Sequence, residues 1–192
     1  PMAVPISWYR RAFDVIREEA PAGLKIIHSF QSNGTLINPD WCAFIKETGI
    51  CLGLSIDGPA GIHDAHRKNR QGKGTHEWTM RGVQLLRSHQ IDFHVIAVVT
   101  EASLDHADEI FDFFVGNGIV RFGFNIEEKE GIHTESSLDA ESNDRVAAFF
   151  RTMFERQKAA GGAVRIREFD FALQRILCRR EAASEEFVYE NE

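Results

Sequence analysis

Cysteine is scarce in this sequence, which contains three among 192 residues. Cys42, Cys51 and Cys178 lie far apart and form no Cys-x-x-Cys pair. An odd, scattered set of cysteines excludes a disulfide framework and favours a reducing compartment such as the cytoplasm. It also excludes a metal site built from the thiolates of this chain alone, so none of the cysteines is predicted to be a metal ligand. Each of the three is expected to be a small buried hydrophobic residue.

Long apolar runs and an excess of positive charge are also missing. No segment approaches the roughly 18 to 20 apolar residues that cross a bilayer, and the N-terminal PMAVPISWYRR has no signal-peptide pattern. With 29 acidic against 22 basic residues the net charge is −7, which disfavours binding to a phosphate backbone. We therefore expect neither a membrane nor a nucleic-acid partner, although residues 67–73 form a local basic stretch. Because the first residue is Pro1, we expect the chain to begin inside a longer protein.

Strand and helix periodicities alternate along the chain. Apolar, strand-like runs cover residues 25–32, 51–57, 93–100 and 120–126, and amphipathic helical segments separate them. This alternation predicts an α/β fold with a parallel sheet, and four clear strands predict a partial barrel rather than a complete one. A short strand at VRIRE and a helix at 169–180 follow. We predict barrel units over 1–142, a helical extension over 143–180 and an acidic tail over 181–192.

Polar and small residues follow each predicted strand. In parallel α/β folds ligands gather at the carboxyl ends of the strands, so these residues are candidates for a polar ligand site. They are Gln31, Ser32, Asn33 and Gly34, then Ser55, Asp57 and Gly58, then Val98, Val99 and Thr100, and finally Asn125, Glu127 and Glu128.

The connector after the second strand, SIDGPAGIHDAHRKNRQGKGTHEW, predicts a functional loop of about 17 residues. Three uses of it stay open. His63, Asp64 and His66 are a weak candidate for a metal site, because no further spaced ligand is evident. Residues 72–75 suit phosphate binding at a helix N-terminus but lack the full GxxxxGK[ST] pattern. Arg67 holding a ligand carboxylate is chemically the best use, since guanidinium binds carboxylate in a bidentate manner.

Four ordered motifs resemble a known family. They are QSNGTL at Gln31–Leu36, SIDGP at Ser55–Pro59, HDAHR at His63–Arg67, and the glycine-rich GKG at 72–74. At this spacing the chain resembles radical S-adenosylmethionine (SAM) enzymes of the SPASM-bearing maturase group, which includes anaerobic sulfatase maturases and peptide-crosslinking enzymes. The resemblance covers roughly residues 1–128, and Pro1 resembles the last residue of a GGEP segment. Ser32 replaces the usual Thr, and the CxxxCxxC cluster motif is absent.

The resemblance implies a partial (β/α)6 barrel whose first βα units are missing, with SAM lying across the strand ends. It places Gln31 and Asn33 beside the cofactor, and Ser55 and Arg67 at its methionyl carboxylate. We expect Asp57 to join these four in one cleft. The fifth barrel strand of the family lines the adenine pocket, which points to Val98 and Val99.

The resemblance also implies a parent enzyme with a [4Fe–4S] cluster, whose ligands are not in this chain. That enzyme would generate a 5′-deoxyadenosyl radical and abstract hydrogen from a side chain of a ribosomally made precursor peptide or protein, with an external electron donor. This chain alone is expected to be inactive. Two alternatives stay open: a cluster-free binding module of barrel fold, and a parallel-barrel lyase or hydrolase in which Asp57, Glu127 or His63 acts as acid or base.

Overall fold

The computed structural model describes residues 1–127 and 136–178. The helices are α1 Ile6–Glu19, α2 Pro39–Thr48, α3 Ala60–His66, α4 His76–Ser88, α5 Ala107–Gly116, α6 Asn143–Ala159 and α7 Arg167–Cys178, with 3-10 turns at Glu101–His106 and Ala140–Ser142. The strands are β1 Ser29–Ser32, β2 Cys51–Ser55, β3 Phe93–Val99, β4 Arg121–Ile126 and β5 Arg165–Ile166. Within these ranges no helix is long and apolar enough to cross a membrane.

The five strands form one parallel sheet in the order β1-β2-β3-β4-β5. This confirms the predicted α/β architecture and the partial parallel barrel. The first strand is shorter than predicted, because β2 begins at Cys51, which pairs with Ser29. The run Leu24–His28 therefore extends past the start of β2, its neighbour in the sheet, and forms no ladder, and Ile27 is exposed.

One face of the sheet packs against the helices and forms the core. Because side chains alternate along a strand, Leu52, Leu54, Val95, Ala97, Val99, Phe122 and Phe124 all lie on this face and are buried. Phe149 and Met153 of α6 belong to the same cluster, so α6 shares its core with the sheet. The boundary between barrel units and helical extension at residue 142 stays a prediction. The opposite face carries Gln31, Gly53, Ser55, His94 and Val98, and we refer to it as the open face.

Local capping rules account for the ends of α2. The Asn38 side chain accepts a hydrogen bond from the Trp41 backbone N–H at 2.9 Å, and Pro39 occupies the first turn. Gly49 ends the helix in the left-handed conformation, with φ of 67°.

The connector after β2 was predicted as a loop, and this is wrong in part. It contains α3, in which Ile62 and His63 are buried. A 3-10 turn follows β3: Thr100 precedes it, and Ser103 lies within it in a reciprocal capping box. Ile16, Trp78 and Phe154 are partly exposed, whereas Ile110, Phe111 and Phe114 of α5 are buried.

The strand β5 has two residues, which pair with Arg121 and Phe122 of β4. Among the described residues, the rest of β4 has no neighbouring strand on that side. Two side chains from the start of α7 take its place: the Phe124 N–H donates to Glu168 Oε1 at 3.1 Å, and Arg167 Nη2 donates to the Phe124 carbonyl at 2.7 Å. Both backbone groups of Phe124 are thereby satisfied, as buried backbone groups require. The sheet ends here in side chains rather than in another strand.

Candidate functional site

A buried carboxylate and an arginine form the centre of the site. Arg67 donates from Nε to Asp57 Oδ2 at 2.5 Å and from Nη2 to Asp57 Oδ1 at 2.8 Å. The Asp57 side chain is 7% exposed and that of Arg67 26%. Asp57 Oδ1 also accepts from the Val98 backbone N–H at 2.9 Å. Arg67 therefore points toward the strand ends rather than into solvent, as the sequence predicts.

His63 stabilises the conformation of the connector that places Arg67 beside Asp57. Its Nδ1 accepts from the Asp57 backbone N–H at 3.4 Å, and its Nε2 lies 3.2 Å from Thr75 Oγ1, which donates to the Arg67 carbonyl at 3.0 Å. These contacts fit a neutral imidazole with the proton on Nε2. Burial disfavours the charged form and, with the Arg67 charge nearby, lowers the pKa of His63 to about 4.

Two backbone donors at the start of α4 form hydrogen bonds within the protein. The His76 backbone N–H donates to Asp64 Oδ1 at 2.9 Å, and the Thr75 N–H donates to the Arg67 carbonyl at 3.1 Å. These two backbone N–H groups are therefore not available to a phosphate at this helix N-terminus. The metal interpretation also lacks support, since the described part of the chain contains no group of three or more His, Cys, Asp or Glu side chains that could hold a metal ion.

A second pair of polar side chains lies on the open face. Gln31 Nε2 donates to Ser55 Oγ at 3.1 Å across the junction of β1 and β2. Ser55 is two positions before Asp57, so both hydrogen-bonded pairs lie at the carboxyl end of β2. Because Ser55 Oγ accepts from Gln31, its own O–H remains available to a ligand oxygen.

The other predicted site residues differ in what they present. Asn33 is exposed, and its Oδ1 accepts from the N–H and hydroxyl of Thr35 at 3.3 and 3.0 Å, so this oxygen shapes the loop. Val98 lies on the open face and is half-buried. Val99 is 1% exposed and belongs to the core face, so only its backbone can reach a ligand.

The end of β4 does not offer an acid or base to the site. Burial alone would raise the pKa of Glu127, but hydrogen bonds from Ser137 and Ser136 outweigh it and lower this pKa. Glu127 Oε2 accepts from the Ser137 N–H and hydroxyl, both at 2.6 Å. Its carboxylate therefore binds the segment that begins at residue 136. Asn125 Oδ1 accepts from Arg167 at 2.8 Å, and Glu128 lies outside the described residues. With His63 fully buried, the lyase or hydrolase interpretation loses two of its three candidate groups.

Two residues of the open face were missed in the sequence. Gly53 lies between Gln31 and His94 in the register of the sheet, and the side chains of both neighbours extend over it. An isolated glycine inside a strand is a known signal of close approach, and it could have identified this position. His94 gives no such signal.

The cysteines do not fit an iron–sulfur cluster at this edge of the sheet. Cys42 is buried in α2, as expected. Cys51 is exposed, which contradicts the expectation of burial, because it begins β2 on the open face. That position is at the opposite end of β2 from Asp57. The side chain of Cys178 lies outside the described residues.

Comparisons with known proteins agree with this geometry. A family model described as the Radical SAM superfamily matches residues 6–114. The chain is 43% identical over 175 residues to an uncharacterized protein of Synechocystis sp., covering 88% of this chain and 44% of that protein. It is 37% identical over 131 residues to a serine-type anaerobic sulfatase-maturating enzyme of Klebsiella aerogenes, covering 68% of this chain and 32% of that enzyme.

A solved structure of native anSMEcpe with bound AdoMet superposes with a TM-score of 0.81 at 28% identity, covering 93% of this chain and 50% of the other. The chain thus spans between about a third and a half of the length of these relatives. The family model covers more than half of the sequence. The chain therefore belongs to the radical SAM superfamily, whose enzymes combine SAM with an iron–sulfur cluster to perform radical chemistry.

Proposed function

We propose that this chain supplies the SAM-binding part of a radical SAM maturase, which modifies a side chain of a ribosomally made peptide or protein. The arrangement that carries the proposal is the pair Gln31–Ser55 beside the pair Asp57–Arg67, at the strand edge where parallel α/β folds bind ligands. The sulfatase-maturating relatives and the neighbour with bound AdoMet support the cofactor and the reaction class. A related structure contains a bound peptide, which supports a peptide or protein substrate.

The donors and acceptors of the site suit the zwitterionic methionyl end of SAM. Nε and Nη2 of Arg67 are held by Asp57, which leaves Nη1 to donate to a carboxylate oxygen. The Ser55 hydroxyl supplies a second donor, and Gln31 Oε1 supplies an acceptor for an ammonium group. Asp57 fixes the plane of the guanidinium and neutralises its charge in part, so it orients the donor.

The apolar end of the site suits the adenosyl group. Val98 presents its side chain on the open face beside the Asp57 contact, and the Val99 backbone continues this wall. Asn33 lies at the first strand end, where its side-chain N–H group remains available as a donor. We infer that the nucleoside lies along this edge, with the methionyl group toward Ser55 and Arg67.

The cluster of the full-length protein is expected to use ligands outside this chain, since Cys42 and Cys51 do not fit one here. In the full-length protein, bound SAM would supply the radical chemistry of the family together with that cluster and an electron donor. The part played by this chain is to bind, orient and shield the cofactor. We accordingly expect the isolated chain to be inactive, with residues 1–142 as barrel units and residues 143–180 as an extension toward further parts of the protein.

The test is SAM affinity in the full-length protein with its cluster reconstituted under anaerobic conditions. Arg67→Ala is expected to raise the SAM dissociation constant at least about tenfold, equivalent to roughly 1.4 kcal/mol, with the iron content unchanged. Arg70→Ala, which removes an exposed arginine of the same connector, is the matched control. Equal affinity in the wild type and Arg67→Ala would refute the assignment of the site.

A further inference from the structure

Gly53 occupies a place on the open face where no side chain fits. A Cβ atom built on Gly53 would lie 2.0 Å from Gln31 Oε1 and 2.8 Å from His94 Nε2. Both distances are far below van der Waals contact, so the amide of Gln31 and the ring of His94 share the space that a side chain at position 53 would fill. Gln31 and His94 flank Gly53 in the register of β1, β2 and β3.

The atoms that would collide are the far ends of side chains. The Gln31 amide can rotate away at low cost, whereas a collision with backbone would displace a strand. A methyl group at position 53 would therefore leave the sheet intact and move the Gln31 amide. His94 already occupies the side toward β3, so the amide cannot shift in that direction. The hydrogen bond from Gln31 Nε2 to Ser55 Oγ would then be lost.

We propose that Gly53 is a positioning residue of the SAM site, which acts through Gln31: its missing side chain lets the Gln31 amide lie flat on the sheet, where it orients the Ser55 hydroxyl and presents its own oxygen to the cofactor. This inference rests on the proposed function. It assigns a role in binding to a residue that makes no polar contact itself.

The experiment compares Gly53→Ala, Gln31→Ala and the double variant in the full-length, cluster-containing protein. SAM dissociation constants are measured by equilibrium dialysis, and unfolding midpoints by calorimetry. Gly53→Ala is expected to raise the dissociation constant by about tenfold, as loss of a hydrogen bond to a charged ligand group does. In the Gln31→Ala background the same change should alter affinity by less than about twofold, because residues that act as one unit are not additive. Gly116→Ala is the control, since that exposed glycine has no atom within 4 Å of a built Cβ.

The outcomes separate the two claims. If neither Gln31→Ala nor Arg67→Ala alters SAM affinity, the proposed site itself is wrong. If Gln31→Ala weakens binding but Gly53→Ala does not, the positioning role is overturned. That role is equally overturned if Gly53→Ala weakens binding to the same extent in both backgrounds, or if it lowers the unfolding midpoint well below that of Gly116→Ala, because the glycine then serves packing alone.

Discussion

The carboxylate of Asp57 is held on both oxygens by the guanidinium of Arg67, ten positions later in the chain. Asp57 is nearly enclosed, and one of its oxygens also receives the backbone N–H of Val98 from the adjacent strand. The pair therefore joins the connector, the end of β2 and the end of β3. It is a structural clamp as well as a candidate ligand site.

The clamp should contribute measurably to stability. Breaking a buried ion pair typically costs about 3 to 5 kcal/mol, and because Arg67 is partly exposed we expect a loss of about 2 kcal/mol for Arg67→Ala. In an Asp57→Asn background the same substitution should cost at least about 1 kcal/mol less. Denaturant unfolding of the four proteins measures this coupling.

An exposed pair in the same chain provides the comparison. Arg17 and Asp14 form an ion pair with side chains 75% and 57% exposed, and Arg17→Ala should cost no more than about 0.5 kcal/mol. If the Asp57 and Arg67 substitutions lower the free energy of unfolding additively, the ion pair contributes nothing to stability.

His63 should make the protein less stable in mild acid. Burial lowers its pKa from 6.5 to about 4 in the folded state, so between these values the unfolded chain binds the proton more tightly. The free energy of unfolding should therefore fall as the pH drops from about 6.5 to 4, by on the order of 3 kcal/mol in total from this residue. His63→Gln should reduce the slope of stability against pH in this window, as measured by urea unfolding at several pH values. Parallel curves for the two proteins would contradict the assignment.

Gly82 should tolerate no side chain, for a reason different from that at Gly53. A Cβ at Gly82 in α4 would lie 2.4 Å from the carbonyl oxygen of Gly34, which is backbone and cannot rotate away. Gly82→Ala should cost about 1 to 3 kcal/mol, as overpacking does. Gly116→Ala, in open space on α5, should leave stability unchanged or slightly higher, since alanine favours helix. Calorimetry of both variants tests this, and equal midpoints would disprove the close approach.

The β1 side of the sheet should promote self-association of this chain. β1 has a single neighbouring strand among the described residues, and Leu24 and Ile27 just before it are 61% and 64% exposed. Unpaired strand edges beside apolar surface pair with other chains. Light scattering should detect oligomers that Ile27→Lys reduces, whereas Val115→Lys on α5 should not. A monodisperse wild-type monomer would count against the prediction.

Local signals predicted much of the fold. Asn38 with Pro39, and Gly49, define the ends of α2 by capping chemistry that acts within one turn of helix. The strand cores were predictable because Leu52, Leu54 and Val95 are buried on the sheet face that packs against the helices. Residues 25–28 were wrongly predicted as strand. An apolar run forms a strand only beside a paired neighbour, and the start of β2 at Cys51 cannot be read from the residues of β1.

The site was predictable in composition but not in detail. The connector sequence identified Arg67, yet it gave no helix signal for α3, whose seven residues contain one buried apolar side chain, Ile62, and a buried histidine. Val98 and Val99 are equivalent in an apolar run, and only the register of β3 determines which of them reaches the open face. Their roles in binding SAM stay predictions.

The Arg167–Glu168 contacts with Phe124 make the two edges of the sheet unequal in their capacity to pair with a further strand. Beyond the end of β5, another strand could pair with β4 only by displacing the Arg167 and Glu168 side chains. These side chains hydrogen-bond to the Phe124 backbone as a neighbouring strand would. Among the described residues, β1 has no neighbouring strand on its outer side. The two edges of the sheet therefore differ: the edge of β1 is open to a further strand, whereas β4 beyond β5 is already closed by side chains.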